Sequence, residues 1–182
     1  IEVVKCSKGV AKLGYSWEAE DVIAWSSPLE LADALMRLAT QPGCRAVFVY
    51  VQVFGYAKGE IRAYCLQGVV VKMIYTGFGL SSEDHRFTDF RELRRDAVLT
   101  EWFANDETML VQIENKVRRL AAKWLKWFHY FAAEPLIFLR VDCFVTTDND
   151  VLTGELTELG ASFLSWTQGP ALTRAALVES CI

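Results

Sequence analysis

The 182-residue sequence predicts an α+β fold, and three patterns carry the expectation. Residues 140–160, RVDCFVTTDNDVLTGELTELG, set two β-patterned runs on either side of a turn-rich TTDND, the mark of a hairpin. Upstream, CRAVFVYVQVF, EIRAYCLQG and VVVKMIYTG form a meander of β runs, the last two joined by a tight Gln67-Gly68 turn. Capped stretches with apolar residues at helical spacing stand apart from these strands.

Taken in order, IEVVK at residues 1–5 is a short β run, followed by CSKGVAKLGYS, rich in small residues, glycine and lysine and read as a loop. Gly9 and Gly14 bracket Lys12 there. Such a loop either cradles phosphate through backbone N–H groups and ammonium charge, or is a solvated Lys-Gly connection. Ser27 as N-cap and Pro28 in the first turn start a helix through LELADALMRLAT, which Gln41-Pro42-Gly43 stops. The meander follows. Residues 77–86, GFGLSSEDHR, read as a loop, and residues 89–103 as a helix. Asn105-Asp106 caps a longer helix over 107–132, with an apolar face built on Ile113, Val117, Leu120 and Trp124 and a basic face mostly opposite. Glu134-Pro135 ends it. A Trp and a Gly-Pro follow Gly160, then a short helical run over 171–180.

Just over half of the chain, 52%, is apolar, enough for one well-packed domain or two small lobes. A net charge of −4 argues against a nucleic-acid surface spread over the whole protein. No run approaches the ~18 apolar residues of a membrane span. The five cysteines are dispersed without a CxxC pair, and Cys65 and Cys143 fall inside strand-like runs as small apolar residues. That distribution favours the cytoplasm or another reducing compartment over a disulfide framework. With only His85 and His129 present, no zinc-site spacing exists. The chain opens directly in a strand at Ile1, as a piece of something longer would.

In an antiparallel hairpin the start of one strand lies beside the end of the next, so Asp142 and Glu155 are brought together. Arg140 shares the face of Asp142. Two converging carboxylates suit a hard divalent cation such as Mg²⁺; an edge hairpin with solvated acids is the other reading. Glu60 and Arg62 in the EIR segment are, on the residues alone, an ordinary cross-strand pair worth about 0.2–1 kcal/mol.

The hairpin resembles the metal-binding hairpin of the ATP-grasp superfamily. That family's R-x-D, then E-x-N, then Gly is matched by Arg140, Asp142, Glu155, Thr157 and Gly160, with Thr157 in place of the usual Asn and so a weaker metal ligand. The resemblance runs from Val3 to Gly160 with the elements in order. It implies two lobes, 1–73 and 74–182, each with an antiparallel sheet and packed helices, and a nucleotide cleft between them. It further implies ATP and Mg²⁺ as cofactors, with Asp142, Glu155 and Thr157 at the metal and Arg140 near the transferred phosphoryl group. Lys5 falls on the α- and β-phosphates, with Lys8 and Lys12 in the loop closing over them. Gln52 and Val53 fall at the adenine hinge, where Gln52 departs from the usual carboxylate. Glu60 falls on the ribose hydroxyls, Arg62 points toward phosphate or substrate, and Lys72 is a weaker phosphate candidate.

The activity so implied is ATP-dependent ligation of an unknown carboxylate to an amine or thiol through an acylphosphate. The alternative is a degenerate ATP-grasp-like domain kept as a nucleotide-binding or structural module in a larger assembly. An unrelated α+β interaction domain rich in tryptophan is the third reading. The substrate-binding N-terminal domain usual in the superfamily has no counterpart here, so a missing N-terminal portion or a partner chain is expected.

Overall fold

The structure, a computed structural model, describes residues 9–13, 22–40, 49–53, 57–80, 87–131, 136–157 and 161–180. The chain divides into two compact units, residues 1–56 with 78–90 and residues 57–77 with 91–182.

The first unit contains β1 (Gly9–Leu13), β2 (Val22–Trp25), α1 (Pro28–Ala39) and β3 (Val49–Val53). β1 is the middle strand of a three-stranded sheet, antiparallel to both neighbours, with Ala11 opposite Ile23 and Val51. This corrects the loop expected over Lys8 to Gly14 for its described residues, Gly9–Leu13. Glycine, alanine and lysine have weak strand preference, but hydrogen-bonded partners on both sides override it. Ala11 is fully buried in a small core with Trp25 and with Ala34 and Leu38 of α1. β2 was not foreseen; it runs directly into the helix cap. The start of α1 follows the sequence: Ser27 Oγ accepts from the Glu30 backbone N–H at 3.2 Å, and Pro28 takes the first turn. Glu30 reaches back, its carboxylate accepting from the Ser26 backbone N–H at 2.6 Å.

The second unit is built on a five-stranded sheet of order β6-β5-β4-β7-β8. Its strands are β4 (Ala57–Leu66), β5 (Val69–Leu80), β6 (Phe87–Leu93), β7 (Phe138–Thr146) and β8 (Val151–Thr157). The helices are α2 (Arg95–Phe103), α3 (Glu107–Phe131) and α4 (Gly169–Glu179). Residues 78–90 of β5 and β6 are counted with the first unit. Between β4 and β5, Gln67 and Gly68 both take positive φ, 46° and 83°, the pairing that a two-residue hairpin turn requires.

Two expectations change here. β5 runs on to Leu80, and residues 87–93 form an edge strand, so that the helix begins only at Arg95. The segment FREL is made of good helix formers, yet it lies beside β5 with Leu93 buried and Arg91 and Glu92 exposed, and charged side chains suit an edge. The longer helix agrees with its reading: Asp106 caps α3 by accepting from the Met109 backbone N–H at 2.9 Å.

α2 and α3 cover one face of the sheet. Ile61, Ala63 and Cys65 of β4 and Val141 and Cys143 of β7 meet Val98 of α2 and Ile113 and Val117 of α3 in the main core. On the opposite face a second cluster joins Tyr64, Ile74 and Phe138 to Trp166 and Ala176 from the C-terminal segment. Successive strand residues point to opposite faces, so the remainder of this second face carries the even-numbered residues of β4 from Glu60 onward and of the start of β7. Among the described residues no helix is long and apolar enough to cross a membrane.

Candidate functional site

The second face of the five-stranded sheet is polar. The ladder sets Arg62 opposite Asp142 and Asp142 opposite Glu155, and in the next row Tyr64 opposite Arg140 and Arg140 opposite Thr157. On the β5 side, Glu60 faces Thr76 and Tyr64 faces Lys72. Glu155 and Thr157 reach this face through a bulge. Cys143 pairs with Thr153, yet Asp142 pairs with Glu155, so that Gly154 is the extra residue. A Cβ on Gly154 would lie 2.8 Å from the Phe144 ring and 3.2 Å from the Asp142 carbonyl oxygen, which is the close approach that calls for glycine here.

The two acids that the hairpin pairs have different surroundings. Asp142 is 1% exposed and Glu155 is exposed. Arg140, 6% exposed, grips Asp142 along one edge, donating from Nε to Oδ1 at 2.8 Å and from Nη2 to Oδ2 at 2.7 Å. It also donates to Thr157 Oγ1 at 3.2 Å and to the Ser162 carbonyl at 3.4 Å. One strand over, Arg62 Nε donates to Glu60 Oε2 at 2.7 Å, and Thr76 Oγ1 donates to the same oxygen at 3.2 Å. The Glu60–Arg62 pair thus runs along β4, while the bond across strands is made by Thr76.

Burial pushes the Asp142 carboxyl up to about 7, with Glu60 adding to the rise and Arg140 and Arg62 opposing it. Burial would lower the Arg62 guanidinium, but Glu60 and Asp142 beside it hold it above its ordinary value. Glu60, Asp142 and Glu155 set three negative charges against the two positive charges of Arg62 and Arg140, a balance of −1 on this part of the face when all are ionised.

These groups fit a hard divalent cation in donor chemistry: carboxylate and hydroxyl oxygens, with a residual negative charge. Two details restrict the fit. Both Asp142 oxygens already accept from Arg140, and among the described residues no group of three or more His, Cys, Asp or Glu side chains could hold a metal ion.

The sequence-derived residues are placed as follows. Arg140, Asp142, Glu155, Thr157, Glu60 and Arg62 share the polar face. Lys72 shares it too, two strands from Asp142, and lines an open groove of about 920 Å³ with Ile74, Glu92, Arg94 and Ser165. Lys12 lies on β1 and Gln52 and Val53 on β3, where Val10 pairs with Gln52 and Gly9 with Val53. Lys5 and Lys8 fall outside the described residues. Sequence reasoning passed over Thr76 and Tyr64, which donates from its hydroxyl to the Ser162 carbonyl at 2.9 Å. Continuing the alternation from Glu60 and Arg62 would have put Tyr64 on this face.

No protein-family model and no curated protein matches the sequence. Solved structures do match in fold. The crystal structure of D-cycloserine synthetase DcsG is similar at a TM-score of 0.62 and 21% identity, covering 96% of this chain and 56% of that one. ATP-grasp ligase PsnB, solved with its minimal precursor, is similar at a TM-score of 0.50 and 12% identity, covering 94% of this chain and 48% of that one. The chain therefore spans about half the length of the proteins it matches, and over most of its own length it has an ATP-grasp-like fold.

Proposed function

We propose that the chain is a Mg-ATP-dependent ligase domain that activates a carboxylate as an acylphosphate for attack by an amine or thiol. The observation that carries the proposal is the pairing of Asp142 with Glu155 across β7 and β8, on one face with two guanidinium groups, within an ATP-grasp-like fold. Asp142 and Glu155 are the residues that would hold Mg²⁺. The cation would offset charge on the phosphate oxygens during transfer. Arg140 and Arg62 supply fixed positive charge beside the transferred group, where a preorganised donor acts without reorganisation cost. Glu60, held by Arg62 and Thr76, presents a buried carboxylate of set orientation to a ribose hydroxyl. Lys5, Lys8, Lys12 and Lys72 are assigned to phosphate, and Gln52 and Val53 to the adenine edge. An amine arriving neutral needs no general base from the protein.

One observation favours the second reading, a domain kept for binding or structure. Asp142 is sealed from solvent with both oxygens taken by Arg140. A thermal-shift titration separates the proposed Mg-ATP site from a purely structural domain. A ligand that binds only the folded state stabilises it by about 2.7 kcal/mol at a hundredfold excess over Kd. The midpoint should rise with ATP only when Mg²⁺ is present, and Glu155→Gln, at an exposed carboxylate, should abolish the rise while leaving the ligand-free midpoint little changed. A wild-type chain whose midpoint is indifferent to Mg-ATP is the result that the structural reading requires.

A further inference from the structure

We infer that Thr157 is a positioning residue that holds the Arg140 guanidinium against Asp142, and that it is not a cation ligand. Thr157 lies directly opposite Arg140 in the ladder, and its Oγ1 accepts from Arg140 Nη2 at 3.2 Å. The other Nη2 hydrogen goes to Asp142 Oδ2, Nε–H goes to Asp142 Oδ1, and Nη1 reaches the Ser162 carbonyl. A guanidinium is planar and carries its N–H donors in a rigid fork, so contacts with these three partners fix both its position and its plane. Without Thr157 the fork would still grip Asp142, but its outer side would be held only by the longer contact of Nη1 with the Ser162 carbonyl at 3.4 Å.

The same bond argues against Thr157 as a ligand. A hydroxyl oxygen that accepts from a guanidinium has that positive charge beside it, and a cation on the same oxygen would be repelled at short range. A threonine hydroxyl has no negative charge of its own to offset this. Glu155 differs on both counts: it is charged and exposed, and it has no hydrogen-bond or ion-pair partner among the described residues. The cation is thus left to Asp142 and Glu155, with Arg140 fixed beside them as a built-in positive charge.

The cation arm of this inference rests on the proposed function; the Arg140 arm does not. Mn²⁺, standing in for Mg²⁺, is titrated into the wild-type chain and its variants and followed by electron paramagnetic resonance. Thr157→Val keeps the side-chain shape and removes the hydroxyl. Its Mn²⁺ affinity should stay within about twofold of wild type, whereas Glu155→Gln should lose about tenfold or more. A loss in Thr157→Val as large as that in Glu155→Gln overturns the inference.

The second arm follows the Arg140 Nε–H signal by nitrogen-15 NMR in metal-free protein. Thr157→Val should broaden that signal and speed its exchange with solvent, and Thr157→Ser, which restores a hydroxyl, should bring it back. An unchanged Arg140 signal in Thr157→Val overturns the inference even where the Mn²⁺ affinities follow expectation. If the wild-type chain binds no Mn²⁺, the proposed function loses its metal, and the Arg140 signal alone decides the role of Thr157.

Discussion

Asp142 and Glu114 are both buried carboxylates, and their surroundings push them in opposite directions. Glu114, on α3, accepts from the Tyr75 hydroxyl at 2.5 Å and from Arg95 Nε at 2.7 Å. Burial alone would raise its pKa, but the hydrogen bonds from Arg95 and Tyr75 outweigh it and hold the carboxyl below its ordinary 4.5. A carboxyl depressed in the folded state contributes stability that is present above its unfolded value and is lost as pH falls through the folded one. For Asp142, raised from 3.8 to about 7, the sign reverses: within that window the folded state holds the proton better, so its contribution declines as pH climbs. Glu114→Gln should therefore be less stable than wild type at neutral pH, and the gap should narrow as pH drops below 4.5. Urea midpoints measured across that range check this; a gap that stays constant would show that Glu114 does not titrate with folding.

At the scale of elements, the ends of α3 and β8 offer two tests. Asp106→Ala removes the oxygen that receives the Met109 N–H and should cost about 1 kcal/mol, read as a lower urea midpoint with an unchanged slope. In β8, strict alternation through VLTGELT would put Val151, Thr153, Glu155 and Thr157 all on one face. The bulge divides them. Val151 and Thr153 stay on the α3 side, where Thr153 accepts from Trp124 Nε1 at 2.9 Å, and Glu155 and Thr157 take the polar side. Gly154→Ala should destabilise by about 1–3 kcal/mol, because the added methyl meets the Phe144 ring at 2.8 Å and a backbone oxygen at 3.2 Å. Equal or greater stability of the alanine variant would show that the bulge relaxes to admit a side chain.

At the scale of the whole molecule, two thiols buried among the described residues report on folding of the second unit. Cys65 and Cys143 are fully buried on either side of the β4–β7 seam, and burial pushes the Cys65 thiol up to about 12 and the Cys143 thiol higher still. Both should resist alkylation in the native protein and become labelled along the same urea curve as global unfolding, read by peptide mass mapping; native-state labelling of either would reveal local opening of the central strands. How much of this molecule was legible beforehand follows from what each signal depends on. The Gln67-Gly68 turn, the Ser27 and Asp106 caps and the TTDND hairpin are local, and each appeared where its residues stand. β1 and β6 differ from expectation because their strand character comes from the strands they pair with, β2 and β3 for β1 and β5 for β6, and not from the strand preference of their own residues. In the candidate site the turn brings Asp142 and Glu155 to the same end of the hairpin, but their direct pairing also needs the bulge at Gly154, which strict alternation does not reveal. The opposition of Arg140 to Thr157, and of Glu60 to Thr76, depends on a bulge in each hairpin, at Gly154 and at Val71, which the alternation of residues does not announce.

Along β4 and β7, positions 60, 62, 64, 140 and 142 bear charge or hydroxyl, while 61, 63, 139, 141 and 143 form the apolar seam beneath the helices. One strand therefore holds two records, read from opposite sides. Substitution at the exposed positions of the polar face, Glu155 and Lys72, can rewrite the chemistry that this surface offers, whereas Tyr64, Arg140 and Asp142 are buried and belong to both records.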